Sequence, residues 1–253
     1  MNIIEKPDII RGTEGTYIGR ILGVGLTEDG RPAAVYGISG RSQSSKQRRL
    51  ILSDYILGPE VLVEPVGEMT EEQTSRKAIY FYPAIRALNP KEGRKFRTFA
   101  VFSNGAHTAE IFGAYTADSL RNSQIYAPTL QEILNMWGPE KDSLGTPRIA
   151  GVCFNIDYIL GMVSSRENRL WCNPLVNSDR GKIYYIHTYG GDPDIPRAAD
   201  LKEPAHRRLK SNEPIDIAEL LFDSIDPAYV VATAAAVRDE NGLWRMAVRN
   251  SIE

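Results

Sequence analysis

Along most of this chain the apolar residues recur at every second position or in short continuous runs, the pattern of strands, and helical spacing is confined to a few stretches. TYIGRILGVG and AAVYGISG are β-rich runs joined by LTEDGRP, and Asp29-Gly30 predicts a hairpin turn between them because both residues tolerate positive φ. RLILSDYIL and EVLVEPV predict two further short strands. Thr70 with Gln73 resembles a capping box ahead of a helix through RKAIYFYPAIRAL, but Pro83 sits awkwardly inside it, so a strand competes for the same residues. FRTFAVFSNG predicts a strand ending in a tight Asn104-Gly105 turn. TLQEILNMWG places Leu130, Ile133, Leu134 and Trp137 on one helical face.

The second half repeats the mixture. RIAGVCFN, YILGMVSS, NRLWCNPL and KIYYIHTYGG predict consecutive strands, IDIAELLFDSI is an amphipathic helix, and AYVVATAAAVRDENGLWRMAVRN is a closing hairpin that turns at Asp239-Glu240-Asn241-Gly242. Strands in hairpin succession, with helices gathered in few places, predict an α+β fold with mainly antiparallel sheet rather than βαβ repeats. The Pro- and charge-rich segment at about 190–214 is expected to be a long loop, and residues 1–253 to form a single domain.

Composition narrows the function classes. Thirty Lys and Arg stand against 32 Asp and Glu, a formal charge of −2, with 42% hydrophobic residues over 253 positions. A chain of this length can bury roughly 70–75% of its unfolded surface and needs no disulfide or metal to hold a core. The near-neutral balance excludes a protein whose main task is to coat nucleic acid or a membrane surface, and leaves small ligands open. Cys153 and Cys172 lie apart in apolar segments and are expected to be buried thiols. The start lacks a signal-peptide pattern and no stretch reaches the ~20 apolar residues of a spanning helix, so a cytoplasmic setting is expected.

Familiar catalytic motifs are missing. Gly23-Val24-Gly25 begins a GxG, but position 28 is Glu and the run lies in a hairpin, so a dinucleotide fingerprint fails. His107, His187 and His206 lack zinc-ligand spacing, and there is neither a Walker loop nor a Gly-x-Ser-x-Gly elbow. What stands out is three polar clusters interrupting apolar strands. The first, Ser39 to Arg49, sets Arg41, Lys46, Arg48 and Arg49 among hydroxyl and amide side chains and could wrap a phosphate or be a solvated basic loop. The second is Ser103-Asn104-Gly105-Ala106-His107-Thr108, and the third runs from Glu140 to Arg148.

In order, YIGRILGVG, AVYGISGRSQSSKQR, SNGAHT, GTPRIAGV and YYIHTYGG resemble the archaeal-type IMP cyclohydrolase family, from position 17 to about 191 and with the closing hairpin belonging as well. SNGAHT and TPRIAG are the most specific parts. Residues 1–16, an N-terminal extension, and the loop after Gly191 lie outside the resemblance. It implies a four-layer αββα sandwich of two mainly antiparallel sheets, similar to the N-terminal-nucleophile hydrolase fold. It also implies closure of the purine ring of 5-formamidoimidazole-4-carboxamide ribotide to inosine monophosphate with loss of water, without a covalent intermediate, metal or cofactor.

On that template Arg20, Arg41, Ser42, Lys46 and Arg48 are expected to bind phosphate or ribose, and Asn104, His107 and Thr108 to line the base pocket. Tyr82 would stack on or donate to the heterocycle, and Glu140 would be the general base, with Asp142 as its alternative. Lys141 or Arg148 would face the developing oxyanion. The expected partner is thus a purine ribonucleotide, not nucleic acid or membrane. A homo-oligomer is compatible with this reading, and the sequence sets no stoichiometry. Two rival classes share the resemblance: a nucleotide-binding protein without turnover, and an amide hydrolase on the same fold.

Overall fold

The computed structural model describes residues 8–67, 74, 81–89, 97–120 and 127–252. The strands are β1 (Arg20–Leu26), β2 (Pro32–Ser39), β3 (Arg48–Tyr55), β4 (Gly58–Pro65), β5 (Tyr82–Leu88), β6 (Phe99–Ser103), β7 (Arg148–Cys153), β8 (Asp157–Val163), β9 (Asn168–Pro174), β10 (Lys182–His187), β11 (Ala205–Arg208), β12 (Val230–Arg238) and β13 (Trp244–Asn250). The α-helices among the described residues are α1 (Gln43–Lys46), α2 (His107–Leu120), α3 (Ala127–Trp137) and α4 (Pro214–Ser224). A six-stranded sheet has the order β11-β10-β1-β2-β12-β13 and a seven-stranded sheet the order β3-β4-β5-β6-β7-β8-β9. Every pairing between these strands is antiparallel. The fold is α+β with two antiparallel sheets.

Three apolar clusters show how the elements pack. The first draws Leu22, Tyr36 and Ala234 from one sheet and Val61, Phe102 and Leu160 from the other. The second joins Ile111, Phe112 and Tyr115 of α2 and Leu130 and Leu134 of α3 to Phe99, Val101 and Val152 of the seven-stranded sheet. The third sets Ile217, Ala218 and Leu221 of α4 against Ile21, Val35 and Ala235 of the six-stranded sheet. Successive side chains of one strand enter different clusters, as Val101 and Phe102 do, so central strands must be apolar on both faces. That is why β2 reads PAAVYGIS, buried throughout, rather than as an alternating strand.

The edges β3 and β13 are tied by one side chain. Asn250 Oδ1 accepts from Leu50 N–H at 2.8 Å and Asn250 Nδ2 donates to the Leu50 carbonyl at 3.0 Å.

Several expectations change in detail. The first hairpin forms with a five-residue connection, Thr27–Arg31, in which Gly30 takes a left-handed φ, 90°. The Thr70–Gln73 capping box lies outside the described residues. From Tyr82 onward the strand reading prevails over the helix: Pro83 pairs opposite Leu62, next to a bulge at which the β4–β5 register skips Ala84. Asn104-Gly105 does not close a hairpin but launches α2, a helix the apolar pattern did not predict because HTAEIFGAYTADSL mixes β-branched residues and Gly113 into its turns. The segment at 190–214 carries β11, paired with β10, so it is not all loop. Both cysteines are free thiols, but only Cys153 is buried; Cys172 is exposed on β9. No helix among the described residues is long and apolar enough to cross a membrane.

Candidate active site

The first element of the site is the turn before β1. Gly19 has φ 71°, and a Cβ there would meet Thr188 Oγ1 at 2.2 Å and the Tyr189 ring at 2.5 Å, so only glycine fits. Ser39 N–H donates to the Gly19 carbonyl at 2.7 Å and Arg20 N–H to Thr188 Oγ1 at 3.0 Å. This brackets Arg20 between β2 and the end of β10. Beneath it, Arg20 Nε donates to the Tyr82 hydroxyl at 3.3 Å, which shares a 2.8 Å hydrogen bond with the Tyr36 hydroxyl. Burial opposes the Arg20 charge, but Tyr82, Tyr36 and Glu140 raise its pKa well above the ordinary arginine value.

The second element is the basic segment after β2, which is one turn of helix rather than open loop. Ser42 caps α1 through a reciprocal box with Ser45, its Oγ accepting from Ser45 N–H at 3.2 Å while Ser45 Oγ accepts from Ser42 N–H at 3.0 Å. Arg41 is exposed and its Nη1 donates to the Pro193 carbonyl at 2.9 Å, which ties this turn to the segment after Gly191. Arg48 is buried at the start of β3.

The third element is the loop before β7. Asn104 Nδ2 donates to the Pro147 carbonyl at 2.8 Å and its Oδ1 accepts from Ile149 N–H at 2.9 Å, which fixes this loop to the end of β6. Asp142 accepts from both the N–H and the hydroxyl of Thr146, whose Oγ1 lies 2.6 Å from the Tyr189 hydroxyl. Since Thr146 gives its proton to the carboxylate, Tyr189 donates to Thr146. Glu140 Oε1 stands 3.8 Å from Arg148 Nη1. Burial raises the Glu140 pKa, Arg20, Arg148 and Arg48 oppose the rise, and Asp142 adds to it.

Arg20, Arg41, Ser42, Arg48, Asn104 and Glu140 together line one cavity of about 230 Å³. Tyr17, Asp142, Thr146, Thr188 and Tyr189 complete much of its wall. The Tyr17 and Tyr189 rings stack at 5.5 Å. The other expected residues lie elsewhere. Lys46 ends α1 and Lys141 is exposed, both outside the lining. Tyr82 is buried under Arg20 rather than in the cavity wall. Thr108 is fully buried and bonds to Ser103 Oγ and, at 2.9 Å, to the Gly105 carbonyl, which secures the start of α2. His107, also buried, has its pKa pushed down to about 3 by burial and by Arg148, and its ring packs on Trp137. Arg148 is one step behind the wall, with its guanidinium carbon 5.0 Å from the Trp137 ring centroid and an ion pair to Glu140.

Spacing gave no hint of Tyr17, Thr188 and Tyr189, because aromatic and hydroxyl residues at strand ends look like core. Their one signal was membership of the YIGR and YYIHTYGG segments.

Three guanidinium groups, several serine hydroxyls and a buried carboxylate in one small cavity suit a ligand that carries a phosphate and also needs a proton moved. The fold and this cavity therefore define a two-sheet α+β protein with an anion-binding, acid–base site. The chain belongs to the IMP cyclohydrolase-like protein family, which it matches over residues 17–242. It is 32% identical over 177 residues to the IMP cyclohydrolase of Methanothrix thermoacetophila, covering 70% of this chain and 77% of that protein. It is also 27% identical over 227 residues to that of Methanocaldococcus jannaschii (90% and 96%) and 24% over 233 residues to that of Methanopyrus kandleri (92% and 100%).

Proposed function

We propose that this protein is an IMP cyclohydrolase that closes the second purine ring of 5-formamidoimidazole-4-carboxamide ribotide, giving inosine monophosphate and water. The observation that carries the reading for these residues is the convergence of Arg20, Arg41 and Arg48 with Glu140 on one cavity. A carboxamide nitrogen is a weak nucleophile and must lose a proton as it attacks the formyl carbon. Glu140, its pKa raised by burial, is matched to take that proton. The formyl oxygen gains charge as the new C–N bond forms. Arg148, one step behind the wall beside Glu140, lends it positive charge, and Lys141 is too exposed for that part. Two protons then leave with this oxygen as water. Nucleophile and electrophile already share one ring, so the protein mainly holds the reactive rotamer.

Arg41, Arg48 and the Ser42 turn take the phosphate in this reading, and the Tyr17–Tyr189 pair supplies the aromatic surface beside the heterocycle. Tyr82 orients Arg20 from below, and Asn104, His107 and Thr108 hold the frame on which Arg148 sits. The three apolar clusters support a four-layer αββα arrangement like that of the N-terminal-nucleophile hydrolases, in a single domain working in the cytoplasm. The test is to incubate purified protein with the formamido ribotide and follow inosine monophosphate by absorbance. Turnover is expected. Tight binding without turnover would make the chain a nucleotide-binding protein, and neither binding nor turnover would sink the purine assignment.

A further inference from the structure

The two segments left outside the family resemblance meet at the free edge of the six-stranded sheet. Arg207 Nη2, on β11, donates to the Asp8 carbonyl, and Ile10 N–H donates to the Ser224 carbonyl at 2.7 Å, which lays residues 8–11 beside the edge strand and the end of α4. With Tyr185 and Leu220 they enclose a cavity of about 670 Å³. A neighbouring cavity of about 470 Å³ shares Arg208 and Lys210 with it and adds Arg180 and Glu28. No lining residue is common to this pair and the candidate active site.

The charge here is one-sided. Arg11, Arg180, Arg207, Arg208 and Lys210 line the two cavities against Asp8 and Glu28, an excess of three positive charges in a chain whose total is −2. Among the described residues none of these five cations forms an ion pair, whereas Arg31, Arg49, Arg86, Arg169 and Arg245 each do. Arg207 Nη1 is buried with no hydrogen-bond partner among the described residues, so its present rotamer leaves a donor unsatisfied that an anion would bond. Burial also lowers the Arg207 pKa, against the opposing effects of Tyr185 and Asp8.

We propose that this edge is a second anion site, which takes the phosphate chain of a nucleoside triphosphate. Two neighbouring cavities that share Arg208 and Lys210 gather more cations than one phosphate requires, and their excess of positive charge offsets most of the negative charge of a triphosphate. Tyr185 and Leu220 give the larger cavity an apolar wall for the nucleoside. Volumes of about 670 and 470 Å³, in the size range of small-ligand pockets, suit a nucleotide. The site combines residues 8–11, which precede the family match at 17–242, with residues of β10, β11 and α4 inside it, and it shares no lining residue with the candidate active site, so it stands apart from the cyclohydrolase reading.

The experiment measures equilibrium binding of ATP and of inorganic triphosphate to the full chain, with and without saturating inosine monophosphate. ATP is expected to bind equally in both conditions and more tightly than triphosphate. Arg207→Ala/Arg208→Ala is expected to weaken ATP by about tenfold or more per guanidinium, since hydrogen bonds to charged groups are worth that much. Arg208→Ala/Lys210→Ala, which touches only exposed side chains, should weaken it comparably with an unchanged melting temperature and unchanged turnover. Unaltered ATP affinity in both double variants would overturn the proposal, as would one-for-one displacement of ATP by inosine monophosphate. So would tighter binding of triphosphate or of a single-stranded oligonucleotide than of ATP.

Discussion

The candidate active site and the basic edge at β11 each gather guanidinium groups, yet they handle them in opposite ways. In the first cavity Arg20 is braced by Tyr82, Arg41 by the Pro193 carbonyl and Arg148 by Glu140 and Trp137. Along β11 Arg207 is held by the Asp8 carbonyl, but Arg208 and Lys210 are exposed and form no ion pair among the described residues. A braced cation costs no reorganisation when charge develops in a transition state, which is what catalysis uses. An unbraced one keeps its freedom until a ligand arrives, which suits binding and exchange. The lesson is that a local excess of Arg and Lys says where anions go, and the partners behind each guanidinium say what happens to them there.

The sharpest way to break this contrast is Glu140→Gln. Loss of a general base is expected to lower turnover by about 10²- to 10⁴-fold while inosine monophosphate affinity stays within a few-fold; full activity in this variant would remove Glu140 from the mechanism. Wild-type kcat/KM should also have an acid limb. The carboxylate must be ionised to act, and burial raises its pKa, so the rate falls as pH drops through a value above the ordinary glutamate pKa of 4.5. Asp142→Asn removes a charge that raises that pKa, and the limb should move to lower pH. Next in size, Arg41→Ala should weaken substrate by about tenfold or more without altering the position of the acid limb; unchanged affinity would refute the phosphate turn. The smallest effect separates the two regions by ionic strength. Raising salt from about 0.05 to 0.2 M should weaken ATP binding several-fold and inosine monophosphate binding less, because exposed cations are screened more than half-buried ones.

Much of the architecture could be read from periodicity. Leu130, Ile133 and Leu134 are the buried face of α3, and the Asp239–Gly242 turn closes the last hairpin, as their spacing predicts. What resisted was decided by tertiary context. α2 has weak local signals and exists because Ile111, Phe112 and Tyr115 cover the seven-stranded sheet. Pro83 is held in a central strand beside the bulge at Ala84, where the ladder is already disrupted. β11, four residues among prolines and charges, is a strand because β10 offers it an edge.

The site divides on the same line. Arg41, Ser42 and Arg48 are close in sequence and arrive in the cavity together. Tyr82 and Thr108 carry suitable groups, but the Tyr82 hydroxyl is spent on Tyr36 and Arg20, far away in sequence, and Thr108 on Ser103 and the Gly105 carbonyl at the start of α2. Tyr189 reaches the wall only because Gly19 leaves room for its ring.

The Asn250 amide between β3 and β13 has a consequence beyond packing. An edge strand offers bare N–H and C=O groups to any other extended chain, and β3 carries the exposed side chains of Leu52 and Tyr55 that would make such an encounter adhesive. By occupying both backbone groups of Leu50, Asn250 acts as a side-chain stopper on intermolecular strand addition. One carboxamide at the end of the last strand thus guards part of an open edge as well as joining the two sheets.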